Sequence, residues 1–153
     1  MQKIRNSIKA IIIENNRILT IKCKDHNGVF YVLPGGGQQL YELMPEALQR
    51  ECREEIDCEV KVGRLLYIRE YLADNHEFAE TDNGAHQIDF MFECKLKEGS
   101  IPQNGTEPDP WQESVVWLEI SQLMEYKLYP RTLRKFLMEN NDPKCKIYLG
   151  DIN

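Results

Sequence analysis

The sequence predicts an α+β (mixed α/β) layered domain, and three observations carry that prediction. Strand-like alternation opens the chain, one amphipathic helical segment interrupts it between residues 43 and 56, and further strand segments run on to a closing helix. At 153 residues, with no internal repeat, low-complexity tract or linker, residues 1–153 read as a single domain able to bury a core without disulfides or a structural metal.

The elements follow in order. "IKAIIIENNRILTIKCKD" reads as two strands joined at Asn15 and Asn16, residues suited to the positive φ of a tight hairpin turn. "VFYVLP" is a short strand that Pro34 and the three glycines after it should end. Helix signals run from about Leu43 to Ile56, with Pro45 tolerable in the first turn. "CEVKVGRLLYIREYLA" and "GAHQIDFMFECKLK" are β-rich and flank the polar stretch "DNHEFAETDNG". A second polar stretch, "EGSIPQNGTEPDPWQE", precedes the strand "SVVWLEI", and "YPRTLRKFLMEN" predicts a closing helix with Pro130 near its start. The two long polar loops are the expected places for substrate contacts.

Charge and composition narrow the function classes. A net charge of -6 argues against affinity for duplex nucleic acid, which needs clustered Lys and Arg, so an anionic ligand would require a local device such as a metal or a few placed cations. No apolar run is long enough to suggest a membrane span, and the chain reads as soluble, unexported and cytoplasmic. Five cysteines form no C-x-x-C pair, which fits reduced thiols packed as small apolar groups.

The helical segment holds the strongest signal. Met44, Ala47 and Leu48 share a face, and steps of three and four along it land on Glu51, Glu54 and Glu55. Carboxylates at core-facing positions are costly unless a cation compensates, and they crowd the helix end whose dipole disfavours them. Three oxygen donors at i, i+3 and i+4 suit Mg²⁺ or Mn²⁺. A helix rich in Glu and Arg is also how a solvated face reads, and three glycines alone are also an ordinary turn.

Both features occur together at a fixed spacing. Gly36, five residues, Glu42, seven residues and then Arg50, Glu51, Cys52, Arg53, Glu54, Glu55, Ile56, Asp57 and Cys58 closely resemble the Nudix box, G-x5-E-x7-R-E-U-x-E-E-x-G-U, where U is a bulky apolar residue. Asp57 stands where the box has a glycine, Cys52 and Cys58 stand at bulky apolar positions, and Tyr41 replaces the glycine usual before Glu42. No carboxylate of the box is missing.

The resemblance implies an α/β/α sandwich with a mixed β-sheet and metal-dependent hydrolysis of a nucleoside diphosphate linked to another group, by attack of water on phosphorus. ADP-ribose-like, nucleotide-sugar-like and nucleoside triphosphate substrates all fall within it. It implies Mg²⁺, or Mn²⁺, on Glu51, Glu54 and Glu55, with either Glu54 or Glu55 as the base. Arg50 would hold a box carboxylate by a bidentate pair, Glu42 would support the loop's end, and Gly35, Gly36 and Gly37 would let backbone approach helix and ligand closely. For a further acidic metal ligand outside the box, Asp89 comes first, then Glu80 and Glu93; Glu77 and Asp82 are available nearby, and His86 reads as a satisfied polar side chain. Trp111, Tyr31 and Phe78 are candidates to stack on a base, and Arg5 and Lys22 to meet a phosphate. A homodimer is common among such proteins, though no residue here shows it. The alternative reading is a Nudix-fold module that binds a nucleotide without cleaving it.

Overall fold

A computed structural model describes residues 3–139 and 146–153. Its elements are β1 (Arg5–Glu14), β2 (Arg17–Asp25), β3 (Gly28–Val32), β4 (Gly35–Gly37), α1 (Met44–Ile56), β5 (Val60–Leu72), β6 (His86–Leu96), β7 (Gln112–Glu119), β8 (Leu128–Tyr129), α2 (Leu133–Met138) and β9 (Tyr148–Asp151). The expected hairpin forms, with Asn15 and Asn16 at φ 50° and 59°. The glycine run, expected to end a strand as a turn, is itself a short strand antiparallel to β1, with Gly35, Gly36 and Gly37 opposite Lys9, Ile8 and Ser7. The closing helix α2 is only six residues long, and two strands the sequence did not announce, β8 and β9, are two and four residues long. Strands this short show no alternation by which to be recognised.

The strands form one curled mixed sheet in the order β8-β3-β2-β1-β6-β5-β9, with β4 also on β1 and β7 also on β2. β1 and β6 pair in parallel at the centre. As a strand covered on both faces must be, β1 is apolar through Ile11 and Ile12 without alternation. One core lies on the α1 side, where Ile8, Ala10, Ile12 and Ile21 meet Ala47, Leu48, Cys52 and Ile56. The other lies opposite, where Ile11, Ile18, Leu66 and Met91 meet Leu123 of a 3₁₀ turn and Leu133 of α2. Burying apolar area on both faces of one sheet, at about 25 cal/mol per Å², gives the layered α+β fold. Cys23, Cys52, Cys58 and Cys94 are buried free thiols, and Cys145 lies outside the described residues. Among the described residues no helix is long and apolar enough to cross a membrane.

The polar stretch 98–113 caps the end of α1. Gln103, Gly105 and Glu107 donate their backbone N–H groups to the carbonyls of Ile56, Glu55 and Glu54, and Gln112 Nε2 adds a bond of 2.8 Å to the Glu55 carbonyl. The last carbonyls of a helix have no partner within it, so this loop caps α1 as an adjacent strand would. Asp57 completes the end in the left-handed conformation, at φ 54°, and its carboxylate accepts a bond from Gln103 Nε2. A Cβ on Gly105 would lie 2.1 Å from the Glu54 carbonyl oxygen. Gly105→Ala is therefore expected to destabilise the chain by roughly 1–3 kcal/mol, read as a fall in Tm of several degrees; an unchanged Tm would show that the loop can move off the helix.

Candidate active site

Helix α1 is capped by Leu43, whose N–H donates to Glu46, and its apolar stripe runs through Ala47, Leu48, Cys52 and Ile56. Of the three carboxylates that the pattern assigned to the interior, only Glu55 is buried, at 4 % exposure. Glu51 and Glu54 stand half-buried at the margin of the stripe, on the side where the glycine strand passes.

Arg50 organises that margin. Its Nε and Nη2 take the two oxygens of Glu42 at 2.8 and 3.0 Å, its Nη1 takes Glu51 Oε1 at 2.8 Å and Glu54 Oε2 at 3.1 Å, and Nη2 also reaches the Gly37 carbonyl at 3.0 Å. The hydrogen bonds from Arg50 hold Glu42 below the usual carboxylate range, and the same bonds raise the guanidinium. A Cβ on Gly36 would fall 2.6 Å from a Glu51 oxygen, so glycine is what admits that carboxylate against β4. Tyr41 keeps the left-handed backbone of the glycine it replaces, at φ 65°, and its side chain is fully exposed.

Glu55 is tied differently. Its Oε2 accepts the N–H of Gly35 at 2.8 Å, and Lys9, whose Nζ donates to the Gly35 carbonyl, is the nearby cation. Burial pushes this carboxyl up to about 7, against the pull of Lys9 and the Gly35 bond, with Asp109 and Glu51 adding to the rise. Asp109 belongs to the loop that caps α1. Nothing in its local sequence marked it as an acid that would come into the field of Glu55, because the loop's docking on the helix end is a tertiary event.

The NUDIX domain profile matches residues 3–139, nearly the whole chain. The chain belongs to this family. No curated protein matches it. Among solved structures it is similar to a NUDIX hydrolase from Nitrosomonas europaea (TM-score 0.71, 16 % identity, 90 % of this chain and 88 % of that one). It is also similar to an ADP-ribose pyrophosphatase from Streptococcus suis 89-1591 (0.61, 16 %, 97 % and 98 %) and to a UDP-X diphosphatase (0.67, 19 %, 99 % and 68 %). At such identities the likeness is one of fold, and the fold is the Nudix hydrolase sandwich.

Nudix hydrolases generally use divalent metal ions. Here the donor set fits one: Glu51 Oε2 and Glu54 Oε1 have no hydrogen-bond partner among the described residues, and Glu55 is a buried carboxylate short of positive charge. As arranged, no three acidic, His or Cys side chains among the described residues converge as around an ion, because the Arg50 guanidinium sits between Glu51 and Glu54.

A cavity of about 990 Å³ opens beside this Nudix site rather than over it: Arg5, Arg69, Phe78, Trp111, Lys127 and Tyr129 are among its walls, and no box carboxylate is. Arg5 stands at the rim between the two, since a Cβ on Gly37 would lie 3.1 Å from its Nη2. Gly35, Gly36 and Gly37, expected to let backbone approach both helix and ligand, pack on β1 and the box carboxylates. Tyr31 is not on the cavity wall; it packs edge-on against Tyr126 at 5.4 Å in the core opposite α1. Lys22 is paired with Glu113 at 3.2 Å. Asp89 lies 2 % exposed on the sheet face turned away from α1, committed to Arg69 at 2.6 Å, so it is not gathered with the box. The alternation of the segment "HQIDFMFEC" puts Asp89 on the strand face opposite Phe90 and Phe92, but it cannot show which face α1 covers. Glu93 is exposed beside Arg64 at 3.6 Å, Glu80 is exposed, Glu77 pairs with Arg131, and His86 is bonded to Glu70 at 2.8 Å.

The raised Glu55 has a consequence for stability. From its ordinary 4.5 up to about 7 the folded chain holds a proton that the unfolded chain has released, so metal-free stability falls as pH rises through that window, by up to about 3 kcal/mol. Glu55→Gln, which keeps an acceptor for Gly35 N–H, is expected to flatten that slope and to raise Tm in EDTA at pH 8. Thermal melts from pH 5 to 8 check it, and a variant that retains the wild-type slope would assign the titration to another group.

Proposed function

We propose that this Nudix hydrolase cleaves the phosphoric anhydride of a nucleoside diphosphate linked to a further group, with Mg²⁺ as the ion and Mn²⁺ as a substitute. The observation that carries the reading is that no box carboxylate is missing, Glu42, Glu51 and Glu54 being held by Arg50 and Glu55 buried against Gly35, beside a cavity with Lys3, Arg5, Arg69 and Lys127 among its walls, in a chain whose overall charge is -6. Two structures of similar fold bear the names ADP-ribose pyrophosphatase and UDP-X diphosphatase, which supports a diphosphate joined to a second moiety. A cavity of about 990 Å³ is within the range of pockets that enclose ligands of that size.

A bound divalent ion would neutralise pyrophosphate charge and acidify a water. Glu51 and Glu55 would hold it, Glu55 from within the fold and Glu51 through the oxygen that Arg50 leaves open. Glu54, with 30 % of its side chain exposed, can be reached by water where Glu55 cannot, and is the proposed base. Arg5 at the rim would take a phosphate oxygen, and Trp111, Phe78 and Tyr129 offer aromatic faces to a base.

The test is phosphate release, coupled to a phosphatase where needed, across ADP-ribose, nucleotide sugars, dinucleotides and nucleoside triphosphates, with Mg²⁺, Mn²⁺ or EDTA. Metal-dependent turnover concentrated on the diphosphate-linked compounds is expected, with Glu54→Gln reducing kcat at least a hundredfold and leaving Tm unchanged. A folded wild-type protein that raises its Tm with nucleotide but consumes none would favour the binding module.

A further inference from the structure

The sheet face turned away from α1 carries a polar network that the box chemistry does not use. Strand register assembles it: Arg5 of β1, Gln87 of β6 and Tyr71 of β5 stand in one row, and Ser7, Asp89 and Arg69 stand in the next. Residues two apart on a strand share a face, so both rows point the same way. Arg5 Nη1 donates to Gln87 Oε1 at 2.7 Å, Gln87 Nε2 to Asp89 Oδ1 at 2.8 Å, and Arg69 Nε to Asp89 Oδ2 at 2.6 Å. One carboxylate and one amide thus connect two guanidinium groups.

Arg69 is held from every side but one. Its Nη1 donates to the Ile152 carbonyl at 2.8 Å and to Asn153 Oδ1 at 3.3 Å, and its plane lies over Tyr71 with 5.3 Å to the ring centroid. Its Nη2 has no hydrogen-bond partner among the described residues. The neighbouring Asn153 Nδ2 is buried and likewise without an acceptor. At 8 % exposure Arg69 is costly to bury, and a purely structural pair would be expected to satisfy all its donors. Arg69 also borders open space: Arg69 and Gln87 line both the large cavity and an adjoining one of about 140 Å³, and Arg5, Lys3 and Lys127 share the larger wall with Asp25 and Asp82.

We propose that Arg69 and Arg5, spaced by the Gln87–Asp89 bridge, form a seat for an anionic phosphate oxygen of the substrate on the cavity side of the sheet, and that Asp89 is the positioning residue that aims Arg69. The proposal rests on the reading of the substrate as a nucleoside diphosphate derivative. Two donors without acceptors, set in a row of fixed cations, match a planar fork reaching a phosphate. Asp89 then acts through Arg69 and has no part in holding the metal.

ADP titrated into the whole protein in EDTA reports the seat without turnover or metal. Arg69→Gln is expected to weaken ADP binding at least tenfold, and Arg69→Lys to restore part of it. Because removing one member of a buried ion pair can unfold a chain, Gln87→Met serves as the second variant: it cuts both bridging bonds without stranding a charge, and should weaken ADP three- to tenfold. In hydrolysis, Asp89→Asn should raise KM with little change in the half-saturating Mg²⁺. The seat is overturned if wild-type protein binds no ADP in the millimolar range, or if Arg69→Gln and Gln87→Met bind it as wild type does. It is also overturned if Asp89→Asn raises the Mg²⁺ requirement tenfold while ADP affinity in EDTA stays constant. Arg69-dependent ADP binding in a protein that hydrolyses nothing would uphold the seat and reject the hydrolase reading; turnover with Arg69-independent binding would do the reverse.

Discussion

Everything at the box depends on one guanidinium. Glu42, Glu51 and Glu54 crowd one edge of α1 and the loop before it, and like charges at i, i+3 and i+4 repel on a helix. Arg50 bonds all three carboxylates and the Gly37 carbonyl, which fixes the glycine strand against the helix as well as the acids against each other. A single planar group with five donors can do this where a lysine ammonium could not, because the partners lie in several directions around one plane. The third helix carboxylate, Glu55, is left to the interior, where Gly35 N–H and Lys9 offset its burial only in part.

The sheet separates two kinds of chemistry. On the side of α1 the carboxylates gather at the edge of β4; on the other side lie the rows Arg5–Gln87–Tyr71 and Ser7–Asp89–Arg69, of which Arg5, Gln87, Tyr71 and Arg69 line a cavity that also carries Lys3, Lys127, Trp111, Asp25 and Asp82. Arg5 and Gly37 form the rim that joins them. The β9 strand contributes to this arrangement at a distance. Asp151 accepts bonds from Leu72 N–H and Asn75 and pairs with His76, and Ile152 and Asn153 hold Arg69, so the segment sets both the turn after β5 and the wall of the cavity.

Much of the fold was legible where the chain repeats a period. The β1–β2 hairpin declared itself through alternation and Asn15–Asn16, and α1 through its stripe and its bounds at Leu43 and Asp57. β8, β9 and the true role of the glycines were not legible, since a strand of two to four residues becomes one only when a partner edge is present. Residues 98–113 read as a polar loop and became the cap of α1, because unpaired carbonyls at a helix end are invisible until the fold says what reaches them.

The sequence by itself determined the box: the kinds of residue at fixed helical offsets settle which carboxylates can act together, because helix geometry is local. It also determined that Asp89 and Phe90 point to opposite faces of a strand. Which of those faces meets α1, whether Tyr31 packs or stacks, that Asp89 belongs to Arg69, and that Asp109 comes near Glu55 were decided only by the tertiary structure. Each is a contact between segments tens of residues apart, and strand register and loop docking, which fix such contacts, depend on the whole core at once.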